Sequence, residues 1–141
     1  MGLTNIFNIA GSAMTAETQR LSTTSSNMSN ANVVSSSPDQ VYRAQYPIFK
    51  AMVENAQYQW SGETSNAGVK LDGIYESNAE PLKRHEPNNP LADKDGYVYA
   101  PNVNYVEELA NMISASRSYQ MDLEIMSTAK QLIQRTLQLG E

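Results

Sequence analysis

At 141 residues the chain is long enough for one ordinary domain with its own core, and 40% hydrophobic residues keep it out of the disordered class. The net charge is −5, and the ten Lys and Arg are scattered with only Lys83 and Arg84 adjacent, so there is no basic face for the phosphates of a nucleic acid. Absence of cysteine excludes disulfides, structural cysteine–zinc sites and thiol catalysis, and no apolar run reaches the roughly 18 residues that would suggest membrane insertion.

Leu3 to Asn32 carries a seven-residue repeat. Phe7, Met14, Leu21 and Met28 form one series; Leu3, Ala10, Glu17, Thr24 and Ala31 form the second. Such spacing keeps one stripe of a helix turned towards a partner helix. The start lacks a basic region, and Asn5, Asn8 and Gly11 break its apolar segment, so no cleavable secretory signal is expected. Leu3 to Leu21 predicts helix, with Gly11 costing about 1 kcal/mol relative to Ala. Ser22 to Asn32 is rich in short polar side chains that compete for backbone hydrogen bonds. This half is expected to be frayed or unfolded in an isolated monomer; a helix end running into a surface loop is the plainer alternative.

Val33 to Asp39 has the composition of a linker. Val41 to Phe49 alternates as a strand does, and Pro47 places it at an edge. Ala51 to Trp60 is a weaker strand candidate, Ser61 to Gly68 a polar loop, and Val69 to Tyr75 a short strand interrupted at Asp72-Gly73. Ser77 to Pro101 contains four prolines, which prevent regular helix. It predicts an extended, irregular segment with a turn at Asp95-Gly96 and a short strand at Tyr97 to Tyr99.

Asn104 to Leu139 predicts the longest helix. Asn104 can cap it, Glu107 sits in the capping-box position, and Gly140 stands where a stop belongs. Met112, Tyr119, Met126 and Ile133 make one unbroken series, and Leu109, Ser116, Leu123, Lys130 and Leu137 a second. Ile125, Ala129 and Leu132 widen the apolar side, so the helix can touch more than one neighbour. The expected fold is α+β: long N- and C-terminal helices pairing as a coiled coil, and a small β-rich middle module. The expected divisions are 1–33, 34–101 and 102–141. Each helix of about 30 residues spans roughly 45 Å, and two alone leave part of the C-terminal face uncovered, which further copies or related chains would cover.

Catalytic chemistry is hard to assemble from these residues. His85 is the single histidine, on a stretch of charges and prolines. No serine sits in a Gly-x-Ser-x-Gly elbow, and there is no phosphate-cradling glycine loop. Aligning Asp93 to Gly96 with a calcium loop puts Leu91 at the first ligand position and Asn102 at the twelfth, so the segment reads as a turn. Glu107 and Glu108 complement the dipole of the last helix. No enzyme activity, cofactor or metal site is expected; a hydrolase built on a serine and His85 is a remote alternative.

Ser26-Asn27-Met28-Ser29-Asn30-Ala31-Asn32-Val33 resembles the signature that ends the N-terminal helix of bacterial flagellar rod and hook proteins. Proximal-rod members of that family are similar at four further places. These are the opening Asn5 to Ala13, the block from Asn89 to Asn104, Ser114 to Gln120, and the terminal Thr136 to Gly140. Between Val34 and Glu80 only Tyr42-Arg43-Ala44 shares the likeness. The resemblance implies a non-enzymatic subunit of the flagellar basal-body rod that crosses the periplasm and transmits torque. It implies partners too: copies of itself, other rod proteins, the rod-base protein and the flagellar type III export gate. Assembly contacts are then expected at Phe7, Met14, Leu21, Asn27, Met28, Asn30 and Asn32, and at Leu109, Met112, Arg117, Tyr119, Leu123, Met126, Ile133 and Leu137. Alternatives are another axial component of the family or a cytoplasmic coiled-coil adaptor or chaperone.

Overall fold

A computed structural model describes residues 3–53 and 67–139. Two helices, α1 (Leu3–Asn30) and α2 (Tyr105–Leu139), flank two small antiparallel sheets. The first sheet is a ribbon of β1 (Gln45–Val53) and β2 (Ala67–Glu76); the second pairs β3 (Leu82–His85) with β4 (Tyr97–Ala100). The chain is therefore α+β. The part of the Ala51 to Trp60 candidate beyond Val53, the Ser61 to Gly68 loop as far as residue 66, and the Gly140 stop lie outside the described residues.

α1 is the shared element, since it packs along both α2 and the ribbon. It stays helical through Ser22 to Asn30, where fraying was expected. Threonine and asparagine side chains there turn their competing groups back onto the helix: Thr23 Oγ1 donates to the Gln19 carbonyl at 3.1 Å and Asn30 Nδ2 to the Ser26 carbonyl at 2.8 Å. Thr23, Thr24 and Asn27 are also buried, so tertiary contacts outweigh weak propensity.

α2 is longer, roughly 52 Å against 42 Å for α1. Asn104 caps it: its Oδ1 accepts from the amides of Val106 at 3.1 Å and Glu107 at 3.4 Å. The start of α2 lies beside the end of α1, for Glu108 and Asn111 line one cavity with Arg20, Thr23 and Thr24, so the helices run in opposite senses. The stretch from Glu108 to Ala129 equals that from Thr24 back to Leu3, so α2 projects beyond α1 from about Gln131 onward.

Met112, Tyr119, Met126 and Ile133 are half-buried, as a seam requires. The second series differs from expectation: Leu109, Leu123 and Leu137 are exposed. The positions one residue earlier carry the burial, with Glu108 and Ala129 buried, Asp122 half-buried and Ala115 wholly enclosed. Alanines allow a close helix approach that leucine would prevent. On α1 the series Phe7, Met14, Leu21 and Met28 is half-buried, and Ala10 and Thr24 of the second series are buried.

The ribbon lies along α1. Asn27 holds Gln45 at one end, and Ser12 Oγ accepts from the Val69 amide at 3.1 Å near the other. Val69 pairs with Ala51. Asn27 to Ser12 spans roughly 22 Å of helix and Gln45 to Ala51 roughly 20 Å of strand, so the lengths agree. Gly68 permits this approach, since a Cβ there would stand 3.0 Å from Ser12 Oγ. β1 starts later than expected because the preceding Pro38–Gln40 forms a 3-10 turn and the Tyr42 side chain reaches α1. Asp72-Gly73 does not interrupt β2. The register skips Asp72 where Ile48 gives way to Phe49, which makes it a bulge.

β3 was not expected in the proline-rich segment. Pro81 and Pro87 flank Leu82–His85 and leave its amides free to pair with β4. Ser35 bridges to Tyr99 on the other side of β4, tying the linker to this sheet. Among the described residues of the middle module, Val41, Ala44, Val98, Ala100 and Pro101 are buried. Before β4 the chain turns on Asp93, whose Oδ1 accepts from the amides of Tyr97 at 2.8 Å and Asp95 at 2.9 Å. The Tyr97 bond above all holds that carboxyl below its ordinary pKa. The stability it lends is present above the unfolded value and is lost as pH falls through the folded one. Gly96 completes the turn at φ +79°, and a Cβ there would meet Pro87 Cβ at 3.2 Å. Gly96→Ala is expected to cost about 1–2 kcal/mol, measured as a lowered thermal midpoint; an unchanged midpoint would contradict this geometry.

Candidate assembly interface

A buried polar site joins α1 to the middle module. Asn27 is 1% exposed. Its Nδ2 donates to the Gln45 carbonyl at 2.9 Å, and its Oδ1 accepts from the Gln45 amide at 2.8 Å. A carboxamide presents the same donor and acceptor as a peptide group, so Asn27 takes the place of a neighbouring strand at the start of β1. The Tyr42 hydroxyl donates to the same Oδ1 at 2.8 Å, and Ser26 lies 3.1 Å from that hydroxyl. Every polar atom of the Asn27 side chain is thus used inside the chain. Among the described residues the Asn30 side chain bonds its own helix alone, and Asn32 is exposed beyond α1.

A second polar cluster lies where α1, β1 and α2 meet. Arg20, Thr23, Tyr46, Phe49, Glu108 and Asn111 are among the residues lining a cavity of about 360 Å³ there. Arg20 forms an ion pair with Glu17 at 3.1 Å. Glu108 is 2% exposed and faces the Tyr46 phenol. Partial burial raises the Tyr46 pKa, and the Glu108 and Glu107 carboxylates push it the same way. Glu108 was read from sequence only as a dipole partner. Its position four residues before Met112 could have marked it as a packing position, but a carboxylate at such a place does not stand out.

The outer side of α2 is apolar and open. Leu109, Ile113, Leu123 and Leu137 are exposed along one stripe of it, Leu137 at 68%, and Val106, Met121, Ile125 and Leu132 are exposed elsewhere around the helix. Arg117 is exposed on the same helix and has no ion-pair partner among the described residues. The fold therefore separates the expected interface residues. Phe7, Met14, Leu21, Met28, Met112, Tyr119, Met126 and Ile133 are half-buried, whereas Leu109, Arg117, Leu123 and Leu137 face outward. His85 is exposed beside the Tyr97 ring, and no group of three His, Cys, Asp or Glu among the described residues is placed to hold a metal ion.

Asn27→Ala would leave the Gln45 amide and carbonyl and the Tyr42 hydroxyl without partners. A loss of about 2–4 kcal/mol is expected in denaturant unfolding, with faster proteolysis of the ribbon; a loss under 1 kcal/mol would contradict the clamp. Because the folded Tyr46 pKa lies above the usual 10, stability should be full below about pH 10 and fall as pH rises through the folded value. Tyr46→Phe should flatten that fall, which thermal melts across pH 9–11 would read.

Two known sequence families match the two helical ends. Residues 7–35 match the family described as flagella basal body rod protein, and residues 94–139 that described as flagellar basal body rod FlgEFG protein C-terminal. The chain is 44% identical over 141 residues to the flagellar basal-body rod protein FlgC of Escherichia coli, and 45% to that of Salmonella typhimurium. Identity to the FlgC protein of Yersinia enterocolitica is 43%. Each alignment covers the whole of both chains. The chain belongs to the FlgC family of flagellar basal-body rod proteins and is a structural rod subunit.

Proposed function

We propose that the chain is a proximal-rod subunit whose terminal helices, pairing as a coiled coil, build the wall of a shaft that crosses the periplasm and carries motor torque. The observation that supports this reading is the open apolar side of α2, Leu109, Ile113, Leu123 and Leu137. A chain of this size does not leave such a face uncovered unless another surface covers it. Copies of itself and other rod proteins supply that cover, and Arg117 meets a carboxylate of a neighbour. The half-buried residues of both helices, Phe7, Met14, Leu21 and Met28 on α1 and Met112, Tyr119 and Met126 on α2, hold the pair in register for those contacts, and Ile133 continues the series onto the projecting end of α2.

The rod-base protein and the flagellar export gate are its further partners. A chain without cysteine, held together by few large buried side chains and by polar clamps, suits passage through a narrow export channel. The role is mechanical rather than catalytic. Shear between subunits is resisted by many small contacts along the helices, and the middle module is carried on α1 through Asn27 and Ser12.

Deleting the gene should abolish assembled rods and motility. Leu123→Glu should leave the monomer's unfolding free energy within about 0.5 kcal/mol, since the side chain is exposed, yet fail to restore rods in the deletion strain. Intact rotating flagella in the deletion strain, or full complementation by Leu123→Glu, would contradict the proposal.

A further inference from the structure

Among the described residues β3 is the outer strand of its sheet, since β4 pairs with β3 on one side and with Ser35 on the other. An outer strand presents unpaired backbone groups to which another chain can add. Which groups β3 presents follows from β4. Ser35 and Tyr99 exchange both backbone bonds, at 2.8 and 2.9 Å. Tyr99 therefore turns its amide and carbonyl away from β3, and Lys83 opposite it turns its own away from β4. His85 repeats this two residues on, because its partner Tyr97 gives both its amide and its carbonyl to Asp93.

The outward positions of this strand are thus Lys83 and His85. The next positions in the same alternation are Pro81 on one side and Pro87 on the other. Proline has no N–H to donate. The edge consequently presents the amides of Lys83 and His85 with a gap at each end. Proline at a position facing away from the ladder removes no bond within the sheet. The inward positions, Leu82 and Arg84, keep the amides that pair with Ala100 and Val98.

The side chains of β3 act in the same direction. All of Leu82–His85 is exposed, and Lys83 Nζ is held 3.9 Å from the centroid of the Tyr97 ring, which keeps its charge at this edge. A second copy adding antiparallel would pair its His85 with Lys83 and set its Arg84 directly opposite Arg84. Like charges directly opposite one another destabilise a strand pair. The start of β1 is closed in a similar way. Gln45 turns its amide and carbonyl to Asn27, and the next outward position is Pro47.

We infer that β3 is closed to strand addition: Pro81, Pro87 and Arg84 keep the second sheet from pairing with that of another copy, so free chains do not join edge to edge. The inference goes beyond the rod-subunit reading and does not depend on it, since it concerns the isolated chain. It gives the prolines that border β3 a role besides excluding helix. Edge-to-edge pairing is open-ended and leads to aggregates, and this block removes that route while leaving the rest of the surface free to make contacts.

Pro81→Thr with Pro87→Thr supplies the missing donors, and adding Arg84→Thr removes the like charge. Purified full-length chains are followed over a concentration series by sedimentation velocity, thioflavin T fluorescence and amide hydrogen exchange. The triple variant should associate at a several-fold lower concentration than wild type, with a rise in thioflavin signal and slowed exchange at Lys83 and His85. Pro38→Thr with Pro90→Thr, which removes two exposed prolines away from the edge, should behave as wild type. Pro87 stands close to Gly96, so Pro81→Thr with Arg84→Thr is a second variant that leaves that turn intact. Circular dichroism selects the variants that are folded. A folded edge variant that associates no more readily than wild type would overturn the inference, as would equal association by the control pair. In the dilute wild-type monomer, exchange at Lys83 and His85 should be several-fold faster than at Leu82 and Arg84, and equal protection at all four would also overturn it.

Discussion

One side-chain amide holds the molecule's two halves together. Asn27 binds both polar groups of the Gln45 backbone, and the Tyr42 hydroxyl completes its coordination. Without it the ribbon would meet α1 at its first strand only through half-buried side chains such as Pro47 and Phe49. A two-stranded ribbon is marginal on its own in water. This one persists because α1 acts as its third strand at one edge through Asn27 and at the other through Ser12. The same helix packs along α2 with its other side. α1 is therefore the element on which both neighbours depend, although its own composition favours helix only weakly.

That arrangement accounts for the polar character of the interior. Asn5, Thr23, Thr24, Asn27 and Glu108 are buried, while Leu109, Leu123, Ile125 and Leu137 stay outside. A monomer evolved for isolation would reverse this pattern. On the proposed reading the large apolar residues stand where neighbouring subunits would reach them, while directional hydrogen bonds hold the chain's own fold. Those bonds fix the angle of the middle module on the helices more narrowly than apolar packing would.

Much of this was legible in the residues. The Asn104 cap, the period of Met112, Tyr119, Met126 and Ile133, and the turn at Asp95-Gly96 follow from local chemistry, and the structure has all three. Local rules failed where distant contacts decide. Leu109, Leu123 and Leu137 match a heptad by type, but Ala115 and Ala129 sit inside because close helix packing selects small side chains. Ser22 to Asn30 has poor propensity, and burial of its polar groups overrides it. β3 was hidden by prolines that border the strand without entering it. Asn27 was recognisable as a backbone binder, yet nothing in the chain's order indicates that its target is eighteen residues away.

Amide hydrogen exchange at Gln45 tests most directly whether α1 carries the ribbon through Asn27. Its amide points at a side chain rather than into a ladder, so protection there reports the clamp alone. The structure predicts slow exchange at Gln45, released together with the amides of α1 in one cooperative opening. Rapid exchange at Gln45 while α1 remains protected would contradict the account.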